Sequence, residues 1–258
     1  MIKKLLFFLL MFMFFMQGIA AGTDNLEFSL FTRTVSPVMK WGENGILTIP
    51  KATTVGRTNF YAGALAQEAG VLNDLKLYLT SATVMIGTSE DVEIGYTRRQ
   101  IIWEDYFFSD LAMDTFHLKT RILDFGADLL PSVAIGVNGV SLVENTFTDK
   151  RDILFNPYLV ATSRLTLIPK LLTLSATGVA ETIMTEGKFG SVLLSVGVDV
   201  SLFNFLVAFG EIQGFSFDEE ELSEKEVINV GAKAKIGWLS AGVGIFNIIR
   251  DIDDVYTN

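Results

Sequence analysis

Residues 191–217 hold the feature that most narrows what this chain can fold into. The segment runs from Ser191 to Phe203, turns at Asn204-Phe205, and returns from Leu206 to Phe217. On the first arm Val192, Leu194, Val196, Val198, Val200 and Leu202 share one face, and Ser191, Ser195, Gly197, Asp199 and Ser201 share the other. Apolar residues at every second position mark a strand with one face toward an apolar medium. The alternation lasts about a dozen residues, roughly twice the usual strand in a soluble protein. A strand that crosses an outer membrane needs about 9–11 residues, apolar toward lipid and polar or small toward the lumen. The hairpin therefore reads as a membrane hairpin.

The same unit recurs along the chain. Residues 57–66 form a first strand, with Phe60, Ala62 and Ala64 on one face. Residues 75–87 and 91–102 pair across Gly87-Thr-Ser-Glu-Asp91, and 114–125 and 132–144 across Gly126–Pro131. Residues 155–168 and 171–184 meet at Pro169-Lys170. After the hairpin at 191–217 come 227–238 and 240–248, around Leu239-Ser240. Long connections are expected at 67–74, 103–113, 145–154, 185–190 and 218–226, alternating with tight turns. Outer-membrane barrels carry short periplasmic turns and longer outer loops. Aromatic residues gather near strand ends (Trp103, Tyr106, Phe107, Phe108, Phe155, Tyr158, Phe203, Phe205 and Trp238), as in interfacial girdles. This count is eleven. Bacterial single-chain barrels have even numbers, so the expectation is 10–12 strands: either a segment of 22–56 pairs as a twelfth, or one of the eleven, 57–66 first, is not a strand.

Composition agrees with this class. Half of the 258 residues are hydrophobic, and the mean hydropathy is +0.40. Yet no apolar run beyond the N-terminus approaches the roughly 20 residues of a spanning helix. The absence of cysteine excludes disulfides, thiolate metal sites, cysteine nucleophiles and a lipidated N-terminal cysteine. Residues 1–21 read as a cleaved signal peptide: Lys3 and Lys4, an apolar core from Leu5 to Met16, then Gly18-Ile19-Ala20. Cleavage leaves 18 basic against 30 acidic side chains, a net charge of −12, the wrong sign for nucleic acid. Residues 22–56 alternate poorly. Leu26–Phe31 suits a short strand, but Pro37, Gly42 and Gly45 break the pattern, so the segment reads as a periplasmic lead-in or lumenal plug. Residues 57–248 are then the barrel and 249–258 an acidic C-terminal tail.

Charged residues on the polar faces are the candidate site. If the apolar face meets lipid, Lys76, Glu93, Arg99, His117, Lys119, Arg121, Glu181, Asp199, Glu211, Lys233 and Lys235 point into the lumen, with Arg98 and Arg164 less well placed. Charges out of bulk water must be paired or hydrated. Mixed signs therefore suit either a salt-bridged filled barrel or a water-lined, charge-selective pore. His117 is the only histidine. A lipid-modifying barrel enzyme would need it as a base beside a serine such as Ser81, Ser175 or Ser195, but no local pattern marks any of these as activated. A lumenal histidine beside a carboxylate is the plainer reading. The acidic run Asp218–Glu226 offers carboxylates to a divalent cation but lacks the spaced order of a calcium loop; it reads as a solvated loop. No metal-ligand cluster, phosphate-cradling glycine loop or dinucleotide fingerprint is present, so no catalytic residue, metal or cofactor is expected. The expected partners are outer-membrane lipid and lipopolysaccharide, with periplasmic chaperones and the barrel-assembly machinery during biogenesis.

Several fragments resemble a known family. Gly45-Ile-Leu-Thr-Ile-Pro-Lys-Ala52 followed by Gly56 is similar to the Gly-x-x-x-x-Pro-x-Ala…Gly entry of YjbH-like outer-membrane proteins. Pro131–Gly136, Pro157–Ser163 and Gly187–Gly190 with Glu211 resemble that family's recurrent pieces. The fragments cover roughly 45–215, and the chain is much shorter than the large members and lacks their extra domain. The resemblance implies an outer-membrane barrel and a connection to exopolysaccharide. The expected function is thus a passive one: a small pore, or a structural or export-accessory barrel of the envelope. The alternatives are a lipid-modifying outer-membrane enzyme and a secreted soluble β-sandwich.

Overall fold

The computed structural model describes residues 45–46, 49–72, 75–103, 112–143, 153–185, 188–203, 205–216, 227–236 and 239–245. They form one all-β, antiparallel sheet of eleven strands. The strands are β1 (Phe60–Leu72), β2 (Leu75–Gly87), β3 (Val92–Trp103), β4 (Ala112–Leu123), β5 (Ser132–Val143) and β6 (Ile153–Ile168). They continue as β7 (Leu172–Thr185), β8 (Lys188–Leu202), β9 (Leu206–Ser216), β10 (Val227–Ile236) and β11 (Leu239–Ile245). Each strand is hydrogen-bonded to the next in sequence order. The expectation of a closed barrel is corrected here: among the described residues no ladder joins β1 to β11, so the sheet is open.

Several strands reach into the expected connections, as β4 does from Ala112 and β6 from Ile153, and at two of these places a register shift is involved. β1 runs on to Leu72, through what reads as a polar connection at 67–74, because the register shifts between Glu68 and Gly70 and the ladder then resumes. A bulge absorbs one residue without ending the pairing. Likewise β7 and β8 continue to Thr185 and from Lys188, with a shift between Thr182 and Met184. At a third shift, where β8 meets β9, Gly214 takes a φ of 86°, a conformation glycine reaches without a Cβ clash.

The two faces of the sheet have opposite polarity, and the polar one is inside. Thr83, Glu93, Thr97, Arg99, Thr115, His117, Lys119, Asn138, Thr177, Ser195, Asp199, Glu211 and Asn229 are all buried. Their outward neighbours are apolar and exposed: Ile86, Ile94, Phe116, Leu118, Ile135, Leu159, Val196 and Val198. In a water-soluble sheet one face buries its apolar residues and the other meets water with polar ones. Here the arrangement is reversed.

Residues 45–55 lie against the inner face. The chain doubles back at Gly45–Pro50, where the two residues form an isolated bridge and Ile46 N donates to Ile49 O at 3.0 Å. Ile46, Ile49 and Ala52 pack with Ala134, Tyr158, Val160, Val179 and Phe209 in a small apolar core inside the curve of the sheet. Tyr158, expected in an aromatic girdle, is buried in this core. Phe203 and Phe205 keep exposed places at a strand end, their rings stacked at 5.9 Å. The proposed signal peptide, the acidic run 218–226, the tail 249–258, Tyr106, Phe107, Phe108 and Trp238 lie outside the described residues.

Candidate functional site: a strap bound across the inner face

The inner face is organised by what it does to residues 45–55. Glu93, near the start of β3, is wholly buried and accepts a hydrogen bond from Val55 N at 2.9 Å. Its other oxygen lies 2.7 Å from Lys119 Nζ, one strand away on β4. β3 and β4 are in register here, with Glu93 opposite Lys119, so strand alternation alone aims both side chains inward at one another. Further along the strap, Ala52 N donates to Thr162 Oγ1 on β6 at 3.0 Å, and Lys51 Nζ sits 2.7 Å from Asp199 Oδ2 on β8. Ile49 N donates to Glu211 Oε2 on β9 at 3.4 Å. On β10, Lys233 Nζ donates to Ile46 O at 2.9 Å and sits 5.1 Å from the centre of the Phe209 ring.

Five strands, from β3 to β10, therefore grip one eleven-residue segment. That is possible only because the sheet curves around it. The strap's backbone cannot form a ladder there, and buried N–H groups need acceptors. Glu93, Thr162 and Glu211 supply them. Gly197 on β8 supplies space: a Cβ at that position would stand 2.6 Å from Ile46 Cδ1 and 2.7 Å from Ile49 Cδ1. At the strap's exit, a Cβ on Gly87 would meet the Gly56 carbonyl oxygen, and Thr58 N donates to Gly87 O at 2.9 Å.

The other expected inward charges are placed differently from one another. Arg99 and His117 are buried on the inner face. The His117 ring lies over Gly95, and its Nε2 is 3.9 Å from Glu93 Oε1. Glu181 is half-buried and accepts from Asn156 Nδ2 at 3.1 Å. Arg121 stands at the strand end rather than deep inside: it pairs with Asp91 and Asp124, both at 2.7 Å, and both partners are exposed. Neither Arg98 nor Arg164 is buried; Arg98 pairs with Asp114 on the outward face at 3.3 Å. Lys235 lies on β10 opposite Ser240, two residues beyond Lys233. Lys76 lies on β2 opposite Val71, at a position with the parity of Val84 and Ile86, the outward set.

Among the described residues no serine stands beside His117 as a nucleophile beside its base. Ser81 and Ser195 are buried on β2 and β8 and Ser175 is half-buried on β7. Neither ring nitrogen of His117 has a hydrogen-bond partner among the described residues. Thr115 Oγ1, Ser195 Oγ and Ser201 Oγ share that condition. Buried polar atoms are ordinarily met by protein, water or ligand. The inner face thus has hydrogen-bonding capacity beyond what the described strap uses. Among the described residues no group of three or more acidic or histidine side chains is placed to hold a metal ion.

Sequence reasoning found Glu93, Lys119, Asp199, Glu211 and Lys233 but missed Lys51 and Thr162. Lys51 sits in a segment without periodicity, and Thr162 is an ordinary strand threonine. Comparison of the chain with protein-family models, curated proteins and solved structures finds no match.

Proposed function

We propose that this is an outer-membrane β-barrel-type protein of the cell envelope, crossed inside by its own segment 45–55, with a structural or export-accessory role. The observation that carries this reading is the reversed polarity of the sheet. Lys119 and Glu93 have no exposed side-chain surface, while Phe116 on the same strand as Lys119 is 62% exposed. Exposing so many large apolar side chains to water would be costly, at about 25 cal/mol per Å²; lipid removes that cost. Strands of 10–16 residues over most of the sheet suit a tilted span.

The strap favours the accessory role over a freely open pore, because it bonds to strands on widely separated parts of the sheet and occupies inner space with Ile46, Ile49 and Lys51. A connection to exopolysaccharide rests on the resemblance of the 45–56 and 131–190 fragments alone. The test is to refold residues 22–258 with and without detergent and follow band mobility on heating. A folded band that needs detergent and shifts on heating is expected. A monomer that stays folded without detergent and shows no heat shift would overturn the proposal.

A further inference from the structure

Three consecutive turns at one end of the sheet expose apolar side chains where a turn in water would carry polar ones. The turns after β4, β6 and β8 all lie at this end, because every neighbouring pair is antiparallel. Leu123, Phe125, Leu129, Ile168, Phe203 and Phe205 are exposed there, Leu129 at 65% and Phe203 at 52%. The β2–β3 turn lies at the same end and differs: its exposed residues are Thr88, Glu90 and Asp91. Exposed apolar side chains gathered in one place mark a contact with lipid or with another protein.

Two of these side chains occupy backbone positions that bulky residues rarely take. Leu129 has a φ of 70° and Phe203 a φ of 53°, the left-handed region that suits glycine or asparagine. Each is held there by the strand or turn beside it: Leu129 N donates to Arg164 O and Phe203 N to Leu171 O, both at 2.7 Å. These bonds also join the three turns edge to edge. The carboxylates of the turns fold back on the chain. Asp124 pairs with Arg121 at 2.7 Å and accepts from Ser132 Oγ at 3.0 Å. Asp128 accepts from the backbone N and the Oγ1 of Thr166 at 3.0 and 3.3 Å. Arg164 and Lys170 are exposed beside them.

We infer that these three turns are seated in the headgroup–acyl boundary of the periplasmic leaflet, with phospholipid as their partner, while the β2–β3 turn stays in water. The inference rests on the membrane reading above and adds the depth and slant at which the sheet sits. Continuity points to lipid rather than protein. On β4 the outward set runs through Phe116, Leu118 and Thr120 to Ile122, and on β8 through Val196, Val198, Val200 and Leu202 to Phe203, with no charge along either. A protein-docking patch would be set off from a lipid stripe by a polar rim; here the stripe runs straight into the turns. Lipid covers Leu129 and Phe203, which offsets their backbone conformation. Arg164 and Lys170 can reach lipid phosphates while their stems stay among acyl chains, and carboxylates already bonded within the chain need no water. The β4–β9 side of the sheet therefore sits deeper than the β2–β3 side.

The chain has no cysteine, so a single label reports one site at a time. Leu129→Cys, Phe203→Cys, Thr88→Cys and the mid-strand Val196→Cys are made in the full exported protein. Each is labelled with a nitrobenzoxadiazole fluorophore and reconstituted in phosphatidylcholine–phosphatidylglycerol vesicles. Iodide on both sides of the bilayer probes water, and lipids carrying a nitroxide near the headgroup or near the chain terminus probe depth. The Leu129 and Phe203 labels are expected to respond best to the headgroup-proximal nitroxide and to be shielded several-fold from iodide relative to the Thr88 label. The Val196 label should respond best to the deeper nitroxide. Leu130→Cys and Phe205→Cys stand in where a turn variant does not fold. Turn labels as open to iodide as Thr88, or best quenched by the deeper nitroxide, overturn the inference. So do turn labels shielded from iodide and nitroxide alike, which means a second copy covers them, and a Thr88 label quenched by lipid as strongly as theirs. With Val196 quenched by lipid, each of these sinks only the seating of the turns. A Val196 label that responds to iodide and not to nitroxide sinks the membrane reading beneath it.

Discussion

Glu93 and Lys119 face each other across β3 and β4 at 2.7 Å, with neither side chain reaching the solvent. Two residues of charge are thus held where a soluble sheet would place leucine and valine, and Glu93 also accepts the Val55 N–H of the strap. Such a pair is poor evidence of net stabilisation, since desolvation offsets the attraction, but breaking it leaves an unpaired buried charge. Lys119→Met should therefore destabilise the folded protein by about 3–5 kcal/mol, measured by urea unfolding in detergent. Glu93→Gln should cost less than Lys119→Met, because the amide oxygen still accepts from Val55. The double variant should recover most of the Lys119→Met loss. A double variant as unstable as Lys119→Met alone would mean that the two residues do not act as a pair.

The strap should be separable from the sheet. Lys51 and Asp199 form a direct ion pair from the strap to β8, with side chains 11% and 6% exposed. Lys51→Ala leaves Asp199 buried without its cation and should loosen the strap at least tenfold, about 1.4 kcal/mol or more, without unfolding the sheet. In planar bilayers the unaltered chain is expected to be mostly silent. Lys51→Ala should raise the frequency of unitary steps about tenfold. Large, stable steps from the unaltered chain would show that the strap does not obstruct passage.

Gly197 tests the strap's seat from the other side. A Cβ there meets the ends of Ile46 and Ile49 and stands 3.3 Å from Glu211 Cβ. Overpacking of this kind costs about 1–3 kcal/mol. Gly197→Ala should lie at the low end, since the two isoleucine tips can turn aside, and Gly197→Val at the high end. Pairing Gly197→Ala with Ile49→Ala should restore part of the loss seen in unfolding curves. A neutral Gly197→Val would show that Ile46 and Ile49 do not rest on β8.

The outward face can be probed with one charge. Val196 lies mid-strand on β8 and is 47% exposed. On a water-facing surface Val196→Arg would be nearly neutral. On a lipid-facing one it should cost about 2–4 kcal/mol near the midplane. Folding into liposomes, compared with Val192→Arg nearer the strand's start on the same face, 52% exposed, separates the two. Equal folding of both variants would remove the case for lipid at this face.

Alternation made most of the sheet legible in advance. The eleven segments read from periodicity correspond one to one with β1–β11, because a strand's side-chain period is a local property that each segment carries by itself. Of the charged residues that alternation placed on the polar face, Glu93, Arg99, His117, Lys119, Asp199 and Glu211 are buried. Some departures trace to local irregularities. The bulges near Glu68 and Thr182 let β1 and β7 continue through polar or glycine-rich residues, and Arg121 belongs to a strand end, where Asp91 and Asp124 are within reach.

The strap is a different matter. The run from Gly45 to Val55 has no period, and its function depends on partners 38 to 187 residues away, from Glu93 to Lys233. No property of Lys51 itself points to Asp199; the pairing exists because the sheet curves and places β8 over it. The open edge of the sheet is likewise invisible locally, since it follows from which strands pair across the whole sheet. Sequence by itself determined the strands, their order and the polarity of each face, because these depend on neighbours two residues apart. Only the tertiary structure decided which charges meet, what crosses the inner face and where the ladder stops, because these depend on curvature and register summed over all eleven strands.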